Sequence, residues 1–267
     1  MIQYDDGHIE KLISQESSAH LKIKTLGQFS VELDGEPLPD NWGRDKSLQL
    51  FQFLLLSRNR NALHKEQIAD RLWEENGSDQ DFKVALHGIN KTIEPKKKGR
   101  GNARFIHRQG SSYKINMESV WLDSYGMEAF IEIGNNVLGS QKELAIIAFQ
   151  YAVRLYGGLF LPNRIYEDWT TTERERLQML ALGSHISLAE LLLQDQPNES
   201  IRLTVQALNI DHTWEEAYRI QMMAHMLNGN RPQAIKTYNK CQEVLQEEYG
   251  IFPLPATSKL FNEIKKA

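Results

Sequence analysis

The chain has 267 residues, a formal net charge of −4 and 41% hydrophobic residues, values that are ordinary for a globular protein of about two domains. No apolar run approaches the ~20 residues of a membrane-spanning helix, and the polar, acidic N-terminus lacks the composition of a secretory signal. Cys241 is the only cysteine, which excludes an intrachain disulfide and favours a reducing cytoplasm. Because the chain is acidic overall, any affinity for nucleic acid must be local.

The first 20 residues show weak hydrophobic periodicity and many polar side chains. We predict a tail or linker over 1–20, with one helical turn around Ile9–Ile13. The alternative is that this segment is the remaining end of a longer parent chain.

From Leu21 onward the hydrophobic pattern has a period of two. Leu21 and Ile23 alternate with lysines, and further on Val31 stands between polar neighbours before a tight turn at Asp34-Gly35. This alternation predicts a small antiparallel sheet with one buried face.

Three helical patterns follow the predicted sheet. The second of them places Ile68 and Leu72 on one face. The third, residues 79–94, has Ser78 as a candidate N-cap and is ended by Pro95. One apolar stripe runs along this third helix and is formed by Phe82, Leu86, Ile89 and Ile93.

The positive charge of the chain is concentrated between Lys83 and Lys114. This window holds six lysines and three arginines against one acid, Glu94, a net charge of +8, so the rest of the chain carries −12. It contains most of the third helix, a basic loop and a predicted hairpin over 103–116. Sheet, three helices and hairpin in this order are the layout of a winged helix, in which the third helix can enter a major groove of DNA.

Side chains of the third helix that lie outside the apolar stripe are the candidates for base contacts: Lys83, His87, Asn90 and Lys91. The remaining cations of the region and the start of the second helix are candidates for phosphate or wing contacts: His64, Lys65, Lys96, Lys97, Lys98, Arg100, Arg104, Arg108 and Lys114. Arg108 is nearest the hairpin turn and is the leading candidate for insertion into a groove. The alternatives are a solvated charged surface for the window, a surface histidine without a role at His87, and a plain helix cap at His64.

Residues 118–267 are predicted to be all-helical. Apolar positions recur every three or four residues over 141–156, 177–194, 199–209, 215–228 and 231–249. Helix pairs spaced by about 34 residues are typical of tetratricopeptide repeats. Several residues fit the small and aromatic positions of that repeat, namely Ala217, Tyr218, Gly229, Ala234, Tyr238 and Cys241. We therefore predict an α+β winged helix over 21–117, followed by an all-α repeat domain over 118–267 whose surface suits the binding of partners.

Segments in both halves of the chain carry a family resemblance. In the N-terminal half they are "LGQFSVELDGEPL" (26–38), "WGRDKSLQLFQFLLL" (42–56), "QIADRLW" (67–73) and "VALHGINKTI" (84–93). These segments resemble the DNA-binding domain of SARP-type transcriptional activators, which is an OmpR-type winged helix. In the C-terminal half four segments are similar to the bacterial transcriptional activator domain that follows it: "WLDSYGMEAF" (121–130), "RLYGGLFLP" (154–162), "EDWTTTERERL" (167–177) and "AIKTYNKCQEVLQEEYGIFPLPAT" (234–257).

The resemblance implies a bacterial cytoplasmic regulator that binds double-stranded promoter DNA, contacts RNA polymerase and activates transcription. Members of the family often act in pairs, which implies a homodimer. The third helix departs from the family pattern at Gly88 and Asn90, where arginine is usual, although Asn90 keeps the ability to pair with adenine. This departure motivates an alternative function, a protein-interaction or signal-receiving module whose winged helix has weak or lost DNA binding.

Motifs of catalysis and of cofactor binding are absent from the sequence, which has no P-loop, no HExxH and no CxxC. We therefore predict a protein that is not an enzyme and uses no cofactor or metal. Cys241 lies on an apolar stripe, which favours a buried, inert thiol. Trp121, Tyr156, Phe160 and Trp169 are interpreted as core and inter-helix packing residues, and the charged run 173–176 as a solvated helix face.

Overall fold

The computed structural model describes residues 4–56, 62–73, 78–96 and 103–266. It begins with helix α1, Asp6–Ser18, where the sequence indicated a tail with a single helical turn. Ile9, Leu12 and Ile13 repeat at i, i+3 and i+4, which is the helical period, and Ile9 is buried.

Packing divides the chain into two compact units. We call the first the winged-helix unit; it contains Glu10–Gly126 and Gly157–Arg176. The second, the helical unit, contains the residues up to Ile9, Met127–Tyr156 and the chain from Leu177 onward. Segment 157–176 therefore packs with the N-terminal half, whereas the sequence placed it within 118–267.

A four-stranded sheet lies at the start of the winged-helix unit, in the order β3-β2-β1-β7. Its strands are β1, Leu21–Lys24; β2, Ser30–Leu33; β3, Glu36–Pro37; and β7, Val120–Leu122. The antiparallel β1–β2 pairing confirms the prediction, with Ile23 opposite Val31 on the buried face. Strand β7 pairs with β1 in parallel and was not predicted, because its partner lies far away along the chain.

Three helices and a second, three-stranded sheet complete the winged helix. The helices are α2, Asp45–Leu56; α3, Lys65–Leu72; and α4, Asp79–Ile93. The strands are β4, Leu63–His64; β5, Ile106–Gln109; and β6, Ser112–Ile115, in the order β4-β6-β5. The antiparallel β5–β6 hairpin forms within the predicted range, and α4 matches the predicted third helix to within one residue.

Segment 157–176 is joined to the end of β1 by backbone hydrogen bonds. The Gly27 N–H donates to the Leu159 carbonyl at 2.9 Å, and the Leu161 N–H donates to the Thr25 carbonyl at 2.8 Å. Gly27 has a φ of +86°. A Cβ on Gly27 would lie only 2.7 Å from the Gly157 carbonyl oxygen, so this close approach requires glycine.

Two buried arginines also hold this segment. The Arg164 guanidinium donates to both carboxylate oxygens of Asp45, at 2.8 and 2.5 Å, and to the Gln52 side chain at 2.8 Å. Arg174 is 8% exposed and donates to the Phe160 and Arg164 carbonyls, at 3.2 and 3.1 Å. The interpretation of 173–176 as a solvated helix face is therefore wrong for Arg174, because its guanidinium satisfies carbonyl oxygens of the segment that precedes its helix.

The helical unit is built from whole α-helices and from parts of helices that it shares with the winged-helix unit. The helices from residue 123 onward are α5, Asp123–Val137; α6, Lys142–Leu155; α7, Asp168–Leu192; α8, Pro197–Ile210; α9, Glu215–Leu227; α10, Arg231–Tyr249; and α11, Pro255–Lys266. All five predicted helical patterns are present. Helices α5 and α11 were not predicted from the periodicity, and α7 begins nine residues before the predicted start at residue 177.

Helices α8 to α11 pack each against the next, as the repeat pattern predicted. Ala217, Ala234 and Cys241 are fully buried, and the rings of Tyr238 and Phe261 stack with centroids 3.8 Å apart. Burial raises the pKa of the Cys241 thiol to about 12, so the thiolate needed for reactivity is scarce at neutral pH. Its burial confirms the interpretation of Cys241 as a buried thiol.

Neither a membrane-spanning helix nor a cluster of metal-binding side chains occurs in residues 4–56, 62–73, 78–96 and 103–266. Within these ranges no helix combines the length and apolar character that crossing a bilayer requires. The same ranges contain no group of three or more His, Cys, Asp or Glu side chains placed to hold a metal ion.

Candidate nucleic-acid interface

Helix α4 begins and ends with capping interactions that the sequence encodes. The Ser78 hydroxyl accepts from the Asp81 N–H at 3.1 Å, and an Asp81 carboxylate oxygen accepts from the Ser78 N–H at 3.2 Å, which completes a reciprocal capping box. Hydrogen bonds from Ser78 hold the pKa of Asp81 below its usual value. The predicted N-cap is thereby confirmed, and α4 stops at Ile93, two residues before Pro95.

One face of α4 is buried and the opposite face is open. The buried positions are Phe82, Ala85, Ile89 and Ile93, and Leu86 packs against the same core. Exposed positions on α4 include Gln80, Lys83, His87 and Lys91. Three of the four predicted base contacts, Lys83, His87 and Lys91, are thus accessible on the surface of the winged helix.

Gly88 lies where α4 crosses α2, close to Ser47. A Cβ on Gly88 would be 2.4 Å from the Ser47 Oγ and 3.3 Å from the Trp42 carbonyl oxygen. Ser47 is itself 1% exposed, so it has little room to move. The packing of α2 against α4 therefore accounts for glycine at this position, and its departure from the family pattern does not by itself indicate a lost DNA contact.

We expect Gly88→Ala to lower the free energy of unfolding by about 1–2 kcal/mol, because overpacking at about 1–3 kcal/mol outweighs about 1 kcal/mol of helix propensity. Ser47→Ala removes the nearest atom, so in chemical denaturation the double variant should recover about 1 kcal/mol. Gly183→Ala is the control, since Gly183 lies in α7 and no atom beyond the adjacent residues and helix backbone lies within 4 Å of its added Cβ. Strictly additive effects of Gly88→Ala and Ser47→Ala would contradict the assignment.

Asn90 differs from the other predicted base contacts. Its residue is partly buried, and its Oδ1 is shielded from solvent without a hydrogen-bond partner among the described residues. A bidentate pair with adenine needs both the amide oxygen and the amide nitrogen. In this conformation Asn90 does not present that pair of atoms.

Asp79 links two of the predicted cations at the start of α4. Its carboxylate oxygens lie 2.6 Å from the Lys65 Nζ and 2.6 Å from the Lys83 Nζ. These two ammonium groups lower the pKa of Asp79 to about 2. The bridge ties the start of α3 to the start of α4, and all three side chains remain near the surface.

His64 is the N-cap of α3. Its Nδ1 accepts from the Glu66 N–H at 3.3 Å, while the His64 N–H donates to the Gln67 side chain at 3.2 Å. The structure thus shows His64 as the cap of α3, and its predicted phosphate contact stays a prediction. Lys65, the next residue, turns toward Asp79.

The single acid of the basic window has a structural role. A Glu94 carboxylate oxygen accepts from the Arg104 N–H at 2.7 Å and from the Phe105 N–H at 3.2 Å, which fixes the end of α4 to the chain entering β5. Lys96, just beyond α4, is exposed. Three further predicted phosphate contacts, Lys97, Lys98 and Arg100, lie outside the described residues.

The hairpin carries cations on both of its faces. His107 stands opposite Lys114, and Arg108 stands opposite the buried Tyr113. The Arg108 guanidinium lies 5.9 Å from the Tyr113 ring centroid, and its Nε donates to the Gly110 carbonyl at 2.7 Å. Arg108 is exposed but folds back onto its own turn. Arg104 is likewise exposed and lies over the Phe105 ring at 5.2 Å.

Two outward residues of α4 were missed at the sequence level, Gln80 and Val84. Neither carries a charge, so counting cations did not find them. Their position relative to the apolar stripe was the available signal, since Gln80 and Val84 precede His87 by seven and three residues on the helix.

Together these features define a class of protein, a winged helix with an exposed cationic third helix joined to a domain of packed helices. The model of the bacterial transcriptional activator domain family matches residues 127–265, more than half of the chain. The chain belongs to this family, which confirms the resemblance seen in its C-terminal half.

Among solved structures, the chain is similar to Mycobacterium tuberculosis EmbR, determined in complex with a low-affinity phosphopeptide. The TM-score is 0.75 at 18% identity, over 93% of this chain and 65% of EmbR. The chain thus spans less than two thirds of the length of EmbR, and the likeness confirms the predicted fold class. No curated protein matches the sequence significantly.

Proposed function

We propose that the chain is a DNA-binding transcriptional regulator that places α4 in a major groove of promoter DNA. One observation carries the proposal: Lys83, His87 and Lys91 are exposed on α4, the third helix of a winged helix. A single α-helix fits the major groove, and its outward side chains then meet the base edges. Membership of a transcriptional activator family supports activation as the outcome.

The remaining cations contact phosphates in this proposal. Lys65 flanks the start of α4, Lys96 to Arg100 follow its end, and Arg104, Arg108 and Lys114 belong to the wing. Such contacts fix the position of the protein on the duplex without reading the sequence. His64 caps α3, and Asn90 does not present a bidentate amide pair in this conformation.

The helical unit receives a protein partner in this proposal. Stacked helix pairs present extended surfaces suited to binding. By family resemblance the partner is RNA polymerase, and paired action on repeated half-sites implies a homodimer.

A salt titration tests DNA binding. With about five to eight phosphates neutralised, log K should fall with log salt at a slope of roughly −5 to −7. Fluorescence anisotropy of the full chain with a labelled generic duplex measures this slope. A slope near zero would overturn the proposal and leave the alternative, an interaction module whose winged helix does not bind DNA.

The change of Lys96, Lys97 and Lys98 to Ala locates the contacts. We expect binding on the order of 100-fold weaker at 0.15 M salt and a slope flattened by about 3, because three counterion-releasing contacts are lost. Lys236, Lys240 and Lys259 changed to Ala form the matched control, since these exposed lysines of the helical unit change the net charge equally. If both triple variants weakened DNA binding equally, the loss would be due to net charge and not to contacts made by Lys96, Lys97 and Lys98.

A further inference from the structure

The outward face of α4 is defined by more than its cations. At about 100° per residue, Gln80, Val84, His87 and Lys91 fall within about 60° of one another around the helix axis. This face lies opposite Ile89, which is fully buried. The close approach at Gly88 fixes the rotation of α4 against α2, so the choice of outward residues is set by packing.

Gln80 is the first-turn residue whose side chain is left to face outward. Asp79 is held by Lys65 and Lys83, and Asp81 is held by the Ser78 cap. Gln80 lies between these two acids and is exposed. The N-terminal residues of a recognition helix are the ones that contact base edges, and a glutamine amide pairs bidentately with adenine N6 and N7.

Val84 lies one turn further along the same face. It is partly exposed and is not among the apolar residues that pack in or against the core of the winged-helix unit. Val84 is thus a β-branched apolar side chain that lies partly exposed beside Gln80, His87 and Lys91. Its chemistry suits contact with a thymine methyl group, the apolar mark of the major groove.

We propose that Gln80 and Val84 are further sequence-reading residues of α4, Gln80 pairing with an adenine and Val84 contacting a thymine methyl nearby. This inference rests on the proposed DNA-binding function. The two side chains are separated by about 6 Å along the helix, which spans about two base-pair steps of 3.4 Å. The operator therefore contains an adenine and a thymine within about two steps of each other.

Selection from a pool of randomised duplexes tests the inference with the full chain. Wild type should enrich a motif that contains these two positions. Gln80→Ala should reduce discrimination at the adenine position by roughly 5- to 150-fold, the equivalent of 1–3 kcal/mol. Val84→Ala should relax the thymine position, while Asn90→Ala should leave the motif unchanged.

Gln80→Glu supplies a second, directional readout. A glutamate accepts from cytosine N4, so the preference at the same position should move from adenine to cytosine. Motifs unchanged by both Gln80 variants and by Val84→Ala would overturn the inference while leaving DNA binding in place. Absence of salt-dependent binding by wild type would instead overturn the proposed function, and the inference with it.

Discussion

Replacing Asp123 with Ala is expected to lower the free energy of unfolding of the winged-helix unit by about 3–5 kcal/mol. The carboxylate is 4% exposed and accepts from the N–H groups of Thr25, Leu26 and Ser124, at 2.7 to 2.9 Å. Alanine leaves three backbone donors without partners, each at a cost of about 1–3 kcal/mol. Urea denaturation followed by tryptophan fluorescence measures the loss, since four of the five tryptophans lie in this unit.

Asp123→Asn separates hydrogen bonding from charge. Asparagine keeps the shape of the side chain but places an amide donor against the backbone donors, so a loss of about 2 kcal/mol is expected. A variant as stable as wild type would show that the acceptor geometry at Asp123 is unimportant. The Thr25 hydroxyl donates to the same carboxylate at 2.6 Å. Thr25→Val removes this hydrogen bond and should lower the free energy of unfolding by less than either change of Asp123.

The same residue predicts a pH dependence. Burial raises the pKa of Asp123 above 3.8, although hydrogen bonds from Thr25, Leu26 and Ser124 oppose the shift. Because the unfolded chain releases this proton first, the Asp123 contribution to stability falls as pH rises from 3.8 through the folded-state pKa. Asp123→Asn lacks this titration, so its stability relative to wild type should improve as pH rises across that window.

Local pattern accounts for the elements that the sequence predicted well. Helix α4 was placed by its apolar period, by the Ser78 cap and by Pro95, all of which act within a few residues. Strand β7 and the packing of segment 157–176 with the N-terminal half were not predicted, because their partners lie about a hundred residues away. These partners are β1 for the strand and Asp45 for Arg164. Nothing in the residues near Val120 reveals which strand will accept it.

At the candidate interface, the positive charge could be predicted from the sequence, but the orientation of individual residues could not. The basic window was found by counting, because exposed cations need no tertiary contact to be recognised. The roles of Gly88 and Asn90 depend on the angle at which α4 packs against α2, and the sequence of α4 alone does not give that angle. The two residues that raised the question of lost DNA binding are therefore the ones that tertiary packing explains or repositions.

The activator-domain sequence does not coincide with one packed unit. The family match spans 127–265, yet segment 157–176, which contains the buried Arg174, packs in the winged-helix unit. A fragment that stops at residue 117 would lack this segment together with β7. We therefore expect residues 21–117 alone to be less stable than the same residues in the full chain.

The second large effect on stability is expected at Arg164, whose hydrogen bonds hold segment 157–176. Arg164→Ala is expected to lower the free energy of unfolding of the winged-helix unit by about 2–4 kcal/mol. The Arg164 side chain is 9% exposed, and its loss leaves a cavity and deprives Gln52 and Asp45 of their donor. Hydrogen exchange should accelerate most at the Gly27 and Leu161 amides, whose bonds join the segment to β1.

Three comparisons separate the buried contact from surface charge. Asp45→Asn should cost less than about 1 kcal/mol, because the Asp45 side chain is 69% exposed and its attraction to Arg164 is screened. Arg164→Lys should fall between Asp45→Asn and Arg164→Ala, since lysine lacks the planar fork that binds both oxygens of Asp45. Arg202→Ala, in an exposed pair with Glu199, should have little effect.

Lowering the pH provides a further test of the Arg164 contact. The guanidinium holds the pKa of Asp45 below 3.8, so the stabilisation from this pair is present above 3.8 and is lost as pH falls through the lower folded-state pKa. The difference in stability between wild type and Arg164→Ala should therefore narrow in acid, leaving the part due to the cavity and Gln52. A difference that stays constant through that range would assign the whole effect to packing and remove the ion pair from the account.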